Sequence, residues 1–361
     1  MAPPLRFGIV HDFRCPPGSS VPMPQVYAET FEQIVLAESL GLELCWFTEH
    51  HFLDDGYLPN FVPVAGAAAA LTSTIRFSTD ICLLPFRQPV RLAEDLAILD
   101  NISDGRMELG AGMGYAAHEF EGFALPLSRR VSLTEEAVEI LRLAWSREPF
   151  SFEGKRYTCR DLRVTPDPVQ DGGPPLWMAA TSPAGARRAA RYDTNLLPQG
   201  PRHAVLDPWR EAVVDAGRDV NDKRVGIIRG VFVTDDAERE WTDIAAAERY
   251  RRNVYVDIIK SSKDHTDAAR ERAADARREP VPLNPLVWTV GDVDHCVAEL
   301  TALMVNHGVT DLVTWGGPPG LSPSVMNTSL ERFATEVLPR VRAGVAGHQP
   351  NDAVNNDVTG R

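Results

Sequence analysis

The chain has 361 residues, of which 44% are hydrophobic, and it carries a formal net charge of −13. This length suits either two average domains or one α/β barrel with insertions, and the hydrophobic content is enough for a substantial core. The acidic balance argues against nucleic acid or an anionic membrane surface as a partner, because both attract clustered positive charge. A phosphate-bearing ligand is not excluded, since it needs only local donors.

Five cysteines are scattered along the chain without a Cys-x-x-Cys pair, as is usual for reduced thiols in the cytosol. The N-terminal segment lacks a basic region followed by an apolar core. The longest near-apolar run, 61–71, is too short to span a bilayer. We therefore expect a soluble, cytoplasmic protein.

Short apolar runs typical of buried strands alternate along the chain with segments of helical periodicity. The pattern predicts strands at 6–13, 42–48, 75–84, 106–110, 175–180, 195–197, 225–233 and 309–315. It predicts helices at 25–40, 63–72, 90–102, 133–145, 204–216 and 322–342, together with helices that begin at Pro183 and after Asp292. Eight strands alternating with helices indicate a (β/α)₈ TIM barrel, with a doubly wound open sheet as the alternative.

Two segments interrupt this repeat. Residues 150–164 alternate in polarity around Glu153-Gly154 and predict a hairpin outside the barrel. In 235–285 the apolar periodicity fades and charge density rises, which in a compact barrel usually marks a lid or a disordered segment. We therefore expect one barrel over residues 1–342 with an insertion at 235–285. The tail at 343–361 has little to bury and is expected to be disordered.

The stretch 42–52 places three titratable residues, Glu49, His50 and His51, directly after a predicted buried strand. Such strand ends carry the chemistry in parallel α/β barrels. Neighbouring histidines on an extended segment point in different directions, and zinc would need converging ligands, so no metal site is predicted. His50 is better suited to proton transfer or hydrogen bonding, with Glu49 as a possible orienter. A surface loop, or a core histidine bound to backbone, is the alternative.

The segment Thr-Ser-Pro at 181–183 follows a predicted strand and opens a helix of small residues. Backbone N–H groups at a helix start, the serine hydroxyl and the positive end of the helix dipole together can bind an anion. Arg187 and Arg188, about one turn further, could neutralise a phosphate or merely face solvent. An ordinary capped helix is at least as good an interpretation of this fragment alone.

The glycines Gly110, Gly112 and Gly114 lack the GxGxxG spacing of a dinucleotide site, and no acidic residue closes a second strand about 20 residues further on. We interpret them as positions where the backbone approaches a flat ligand or makes a tight turn.

Four segments together resemble the bacterial luciferase-like flavin-dependent monooxygenases. They are FTEHHF (47–52), the run from 83 to 115, HEFEGF (118–123) and PLWMAATSP (175–183). The resemblance extends from Phe7 to about Gly200 and resumes at 311–338, with the elements in the same order. The family fold is a (β/α)₈ barrel, which agrees with the alternation of strands and helices.

The resemblance implies roles for particular residues. His50 matches the family's catalytic histidine, the base that serves the flavin C4a-oxygen intermediate. Glu49, as its possible orienter, is the second catalytic candidate. Asp80-Ile81 falls where the family places a non-proline cis peptide against the isoalloxazine ring. The other cofactor-binding positions are Gly112, Met113, Gly114 and Tyr115 along the flavin, Glu119 near the same pocket, and Thr181 and Ser182 at the phosphate.

The resemblance also implies the wider reaction. Reduced FMN from a separate flavin reductase would react with O₂ as a C4a-peroxyflavin and oxygenate an unidentified small organic substrate. His51 and Glu94 match positions at the family's dimer interface, which implies a homodimer, and 235–285 matches its mobile active-site loop. The alternatives are a deazaflavin-dependent oxidoreductase that transfers hydride, a metal-dependent barrel hydrolase and a non-catalytic flavin-binding partner subunit.

Three positions depart from the family pattern. Met113 stands where the light-emitting enzyme has an arginine near the phosphate, so charge compensation must come from elsewhere. Gln88 replaces a frequent histidine, and Gly185 replaces a hydroxyl-bearing phosphate contact. These departures imply weak flavin binding and leave the deazaflavin coenzyme open, with FMN ranked first because Glu-His-His-Phe is more typical of the FMN branch.

Overall fold

The structure is a computed structural model and describes residues 3–19, 21–261 and 287–348. Its strands are β1 Arg6–His11, β2 Leu44–Phe47, β3 Arg76–Thr79, β4 Cys82–Leu83, β5 Leu109–Gly112, β6 Phe150–Glu153, β7 Thr158–Leu162, β8 Leu176–Ala180, β9 Asn195–Pro198, β10 Gly226–Ile228, β11 Gly230–Val233, β12 Trp288–Gly291 and β13 Asp311–Trp315. Its α-helices are α1 Met23–Ser39, α2 Phe61–Leu71, α3 Pro89–Ile102, α4 Ala117–Gly122, α5 Arg130–Ala144, α6 Pro183–Arg191, α7 His203–Asp215, α8 Ala237–Ser261, α9 Val293–His307, α10 Asn327–Arg332 and α11 Leu338–Gly347. A π-helical turn, Phe333–Val337, joins α10 to α11.

Parallel strands form the wall of a barrel in the order β1, β2, β3, β5, β8, β9, β10 and β13. Isolated bridges close the two remaining gaps, Phe77 with Met107 between β3 and β5, and Leu196 with Val225 between β9 and β10. Helices follow the strands on the outside, as the sequence pattern predicts. The predicted (β/α)₈ barrel is confirmed.

Two of the predicted strands are divided in the structure. The run 75–84 changes neighbour at Asp80-Ile81, because β3 pairs with β2 whereas β4 pairs with β5. The run 225–233 divides at Arg229, because β10 pairs with β13 whereas β11 turns to pair with β12. A prediction of one continuous strand is therefore wrong at both places, where the strand changes its partner.

Alternate side chains of each strand face the helices and the barrel interior, as the pleat requires. In β1, Ile9 belongs to the core beneath the helices, whereas Val10 packs inside the barrel. The interior is filled largely by Trp46 and Trp177, whose rings meet edge to face at 6.0 Å. A Cβ atom at Gly226 would lie 2.5 Å from the Trp46 ring, so only glycine leaves room for this indole.

The amino ends of the strands are closed by a network of ion pairs. Glu108 accepts hydrogen bonds from Arg6 at 2.7 Å and from Arg76 at 2.6 Å. Asp311 accepts from Arg6 at 2.6 Å and from Arg224 at 3.1 Å. Burial opposes ionisation of Glu108, but Arg6 and Arg76 outweigh it and lower the pKa of this carboxyl. At Asp311 burial is the larger effect and raises the pKa of the carboxyl, although Arg6 and Arg224 oppose it.

Segments outside the repeat follow the predictions in part. β6 and β7 form the expected antiparallel hairpin. In the predicted lid, α8 is a long helix whose Trp241 and Ile244 pack on the interior cluster, while 262–286 lies outside the described residues. The sequence predicts that the tail begins at residue 343, but α11 continues to Gly347. Residues 349–361 also lie outside the described residues. Among the described helices, none is both long enough and apolar enough to cross a membrane.

Candidate active site at the carboxyl ends of the strands

His50 lies just beyond β2, at the end of the barrel where the strands terminate, called the carboxyl rim below. The residue is 7% exposed, and its Nδ1 lies 2.8 Å from Oε1 of the fully buried Glu119 on α4. The same oxygen accepts the backbone N–H of His51 at 2.9 Å. Because a carboxylate only accepts hydrogen bonds, this contact places the proton on Nδ1 and leaves the lone pair of the neutral ring on Nε2. The arrangement suits His50 to accept a proton at Nε2.

Glu49 does not orient His50, which corrects the prediction from sequence. Glu49 Oε1 lies 3.0 Å from His51 Nε2, and its Oε2 accepts a hydrogen bond from Arg87 at 2.7 Å. Residues two apart in an extended segment point to the same side, so Glu49 and His51 face one way and His50 the other. Glu119, which the sequence predicts to bind the cofactor, is the residue whose Oε1 pairs with His50.

Three tyrosine rings surround His50. Tyr57, Tyr115 and Tyr255 meet the imidazole edge to face at 5.0, 5.9 and 5.7 Å. The Tyr57 hydroxyl donates to Thr48 at 2.7 Å and lies 2.8 Å from the Tyr255 hydroxyl. Burial raises the pKa of Tyr57 well above its ordinary value and, together with Tyr255 and Glu119, that of Tyr115. These phenols therefore keep their protons and remain donors.

Five further aromatic residues lie in or near the segments that lead to this end of the barrel, namely Trp46, Phe47, Phe52, Tyr57 and Phe86, and of these five only Tyr57 has a ring contact with His50. Trp46 and Phe47 are core residues, while Phe52 and Phe86 pack around His51 instead. Sequence analysis did not single out Tyr255, which reaches the site from α8.

Asp80 and Ile81 lie on the rim beside His50's strand. The Asp80 N–H donates to the Phe47 carbonyl at 2.8 Å, and the Asp80-Ile81 peptide bond is cis, as the resemblance implies. Burial raises the pKa of the Asp80 carboxyl to about 7. A Cβ atom at Gly112 would lie 1.9 Å from Ile81 Cδ1, so a larger residue where β5 passes this side chain would force the end of Ile81 to move. The structure thus brings Asp80, Ile81 and Gly112 together.

The turn after β5 contains the next three predicted residues. Gly114 has φ +68°, a conformation that favours glycine, and Met113 and Tyr115 on either side of it are half-buried. The turn delivers the Tyr115 ring to His50. The structure therefore confirms the tight turn that the glycine cluster predicts.

Thr181 and Ser182 are exposed at the start of α6, and Ser182 Oγ caps that helix by accepting the N–H of Gly185 at 3.3 Å. Arg188 is not available to a ligand there, because it pairs with Glu135 at 2.8 Å, and Arg187 is exposed. Ser182 follows β8 and His50 follows β2, which are three strand steps apart on the same rim. At ~4.8 Å per step, the two lie roughly 14 Å apart along the wall.

The rim residues fit a flat cofactor with an anionic tail. Asp80, Ile81, Met113 and Tyr115 present half-buried surface between His50 and the exposed start of α6. Glu119 Oε2 is buried and has no hydrogen-bond partner among the described residues, so this polar atom is available to a group that those residues do not supply. In the same part of the chain, no cluster of three or more His, Cys, Asp or Glu side chains could hold a metal ion.

Comparison with known proteins gives a match to one family model, that of the luciferase-like monooxygenases, over residues 5–311. The 4-hydroxyprotoasukamycin monooxygenase of Streptomyces nodosus subsp. asukaensis is 26% identical, covering 86% of this chain and 85% of its own. The oxygenase component of the flavin-dependent trigonelline monooxygenase of Acinetobacter baylyi is 24% identical, covering 87% and 90%. The F420-dependent glucose-6-phosphate dehydrogenase of Amycolatopsis mediterranei is 26% identical, covering 86% and 94%.

Solved structures share the fold. The monooxygenase RslO1 of Streptomyces bottropensis superposes with a TM-score of 0.80 at 24% identity, covering 93% of this chain and 99% of its own. The oxygenating constituent of 3,6-diketocamphane monooxygenase of Pseudomonas putida, in complex with FMN, gives 0.75 at 23% identity, with coverage of 94% and 99%. An F420-dependent secondary alcohol dehydrogenase gives 0.73 at 20% identity, with coverage of 94% and 99%.

Proposed function

The chain belongs to the luciferase-like monooxygenase family, and we propose that it is the oxygenase component of a two-component system that uses reduced FMN and O₂ to oxygenate a small organic substrate. The observation that carries the proposal is the His50–Glu119 pair, which fixes the tautomer of a histidine at the carboxyl rim. The rim of a (β/α)₈ barrel is where the chemistry of this fold is placed. The monooxygenases among the relatives support the same reaction class.

We assign the cofactor to the rim between His50 and α6. Ile81 and the turn 112–115 would hold the flat ring, and Thr181 and Ser182 would hold its phosphate through the N–H groups that begin α6. Reduced FMN supplies the electrons that activate O₂. His50 takes up or returns a proton at Nε2, and Glu119 is a positioning residue that keeps this nitrogen free. The tyrosines around His50 exclude water from it.

A deazaflavin-dependent hydride transfer is the second candidate, because two of the proteins compared with this chain use F420. Met113 favours neither cofactor, since it brings no positive charge to a phosphate. The two candidates differ in one measurable property: only the monooxygenase consumes O₂.

The test is an anaerobic titration of the protein with reduced FMN and, separately, with reduced F420, each followed by mixing with air. We expect reduced FMN to bind and O₂ to be consumed. We also expect His50→Asn to change the rate of reoxidation of bound FMN by about 100-fold or more, as removal of a general base does. The matched control is His51→Asn, which removes the neighbouring imidazole that faces Glu49. Binding of F420 without O₂ uptake would support the second candidate, and binding of neither would contradict both.

Two partners belong to the proposal: a flavin reductase that delivers reduced FMN, and a second copy of the chain. Large apolar side chains are exposed on the outside of the barrel, Phe52 by 59%, Leu71 by 56% and Ile102 by 50%. Apolar groups in such positions are often covered by another protein. Light scattering on the purified chain is expected to give the mass of a homodimer, and a monomer at all concentrations would contradict this part.

A further inference from the structure

Asp80 differs from the other acidic residues near His50 because its carboxyl has no partner. The group makes no hydrogen bond or ion pair with any described residue, although the side chain is half-buried. By contrast, Glu49 binds Arg87 at 2.7 Å, and Glu119 lies 2.8 Å from the His50 ring. An acidic group that is partly removed from water without a cation beside it is destabilised as an anion.

The register of the strands sets the direction in which Asp80 points. Its N–H donates to the Phe47 carbonyl at 2.8 Å and continues the ladder between β3 and β2, so Asp80 is level with Thr48. Trp46, two residues before Thr48, packs inside the barrel. Because side chains two residues apart on a strand share a face, Thr48 and Asp80 are directed to the interior side, at the mouth of the barrel. The Thr48 hydroxyl agrees with this direction, since it accepts a hydrogen bond from Tyr57.

Asp80 also adjoins the position assigned above to the cofactor ring. Ile81, the next residue, packs on the interior cluster and meets β5 at Gly112. The proposed ring site lies between Ile81 and the turn that follows β5. A ring bound there would lie beside the Asp80 carboxyl.

The charged groups on the neighbouring elements do not compensate a charge on Asp80. The titratable side chains that β2, the turn after β5, α4 and α8 bring to this part of the rim are Glu49, His50, Tyr115, Glu119 and Tyr255. His50 and Glu119 form a pair, and Glu49 faces the other way, toward Arg87. The two tyrosines keep their protons, because burial raises the pKa of each. Burial is also what raises the pKa of Asp80 to about 7.

We propose that Asp80 contacts the cofactor ring as an uncharged carboxyl that donates a hydrogen bond to it, and that ionisation of Asp80 weakens cofactor binding. This inference rests on the proposed function and deepens it by naming what controls the occupancy of the site. A protonated carboxyl has an O–H donor, whereas an ionised one only accepts hydrogen bonds. The site then holds two titratable groups with opposite roles, since His50 accepts a proton and Asp80 retains one.

The test is a titration of the full chain with riboflavin and with FMN at pH 6 and pH 8, followed by flavin fluorescence. Riboflavin carries the same ring without the phosphate, which itself titrates in this range. We expect the affinity for riboflavin to fall about 10-fold between pH 6 and pH 8, because only chains with a protonated Asp80 bind the ring. Equal affinity at the two pH values, or no binding of either flavin at pH 6, would overturn the proposal.

Asp80→Asn keeps the shape and a donor but cannot ionise. At pH 8 we expect this variant to bind both flavins about 10-fold more tightly than the unmodified chain does, and at pH 6 we expect equal affinities. The matched control is Asp54→Asn, which removes an exposed acidic group from the loop after β2 and should leave the pH dependence in place. The same pH dependence in Asp80→Asn as in the unmodified chain would overturn the proposal.

A second measurement needs no flavin. In carbon NMR of the chain labelled at its aspartate carboxyl carbons, the signal that is missing from Asp80→Asn belongs to Asp80. We expect this signal to titrate with a midpoint of about 7, and a midpoint of roughly 4, the ordinary value, would overturn the proposal.

The proposed function and this inference can fail separately. Flavin binding that depends on Asp80 but brings no O₂ uptake would contradict the oxygenase and support the role of Asp80. Binding that is independent of pH and followed by O₂ uptake would do the reverse.

Discussion

The two ends of the barrel differ in whether their buried polar groups have hydrogen-bond partners. At the amino ends of the strands, Glu108 and Asp311 each bind two arginines at distances of 2.6 to 3.1 Å. At the carboxyl rim, polar atoms of Glu119, Arg14 and Arg251 are buried with no hydrogen-bond partner in the described part of the chain. Both ends use charged residues, but only at the amino ends are all of these side chains paired by other described residues.

The difference separates stability from function. A fully paired network fixes the register of the strands and needs nothing from outside. Unpaired buried groups lower stability, so they persist where another molecule supplies the missing partner. The amino end is therefore expected to respond to mutation through unfolding, and the carboxyl rim through binding and rate.

The largest expected effect on stability is at the amino end. Glu108→Ala leaves Arg6 and Arg76 facing each other without their shared carboxylate, and we expect a loss of about 3–5 kcal/mol in the free energy of unfolding. The control is Arg340→Ala, which removes one partner of the exposed pair with Asp294 and should cost about 0–1 kcal/mol. Urea denaturation measures both, and equal losses would contradict the comparison of the two ends.

The next effect separates positioning from packing at the rim. Glu119→Ala leaves the Nδ1–H of His50 and the N–H of His51 without an acceptor, and we expect a loss of about 2–4 kcal/mol in unfolding free energy. Glu119→Gln keeps an acceptor oxygen, so it should restore most of the stability. Nitrogen NMR of the imidazole should show the proton on Nδ1 in the unmodified chain and a mixture of tautomers in Glu119→Ala. An unchanged spectrum in Glu119→Ala would remove the positioning role.

A smaller effect concerns pH. Burial, with the neighbouring Arg251 adding to it, lowers the pKa of His11 to about 3. Between this value and the ordinary pKa near 6.5, the unfolded chain takes up a proton that the native chain does not, so stability falls as pH is lowered. We expect this group to account for about 2 kcal/mol of the stability lost between pH 7.5 and 5.

The check is His11→Gln, which has no group that titrates in this range. Urea denaturation at both pH values should show a flatter pH dependence in the variant, whatever its stability at pH 7.5. The same slope in both proteins would mean that His11 takes up a proton equally in the native and the unfolded chain.

The sequence predicts the barrel well because periodicity is a local property. Apolar runs and helical stripes follow from which side chains are buried, and the strand and helix order comes directly from them. What it does not predict is a change of partner between strands, as at Asp80-Ile81 and Arg229, because pairing is set by the rest of the barrel. The sequence also does not predict that Arg188 is paired, because its partner Glu135 lies on another helix.

The site is predicted less completely than the fold. His50 stands out because three titratable residues follow an apolar run, but its partner is 69 residues away on α4 and not the adjacent Glu49. Alternation along an extended segment could have shown that Glu49 belongs with His51. Arg251 and Tyr255, one helical turn apart, become candidate site residues only once α8 is known to lie over the rim.

The smallest effect concerns the contact between α8 and the rim. The hydroxyls of Tyr57 and Tyr255 are 2.8 Å apart, and this is a direct polar link between the loop after β2 and α8. We expect Tyr255→Phe to cost about 0.5–1.5 kcal/mol and to speed hydrogen exchange of α8 amides by about 2- to 10-fold. Tyr57→Phe also loses the bond to Thr48, so its own cost is larger, but in the double variant the Tyr255→Phe substitution should add almost nothing. Full additivity of the two costs would show that the hydroxyls do not interact, and α8 would then be held to the rim by its apolar contacts, by the hydrogen bond from Tyr250 to Asp55 and by that from Arg251 to Gly317.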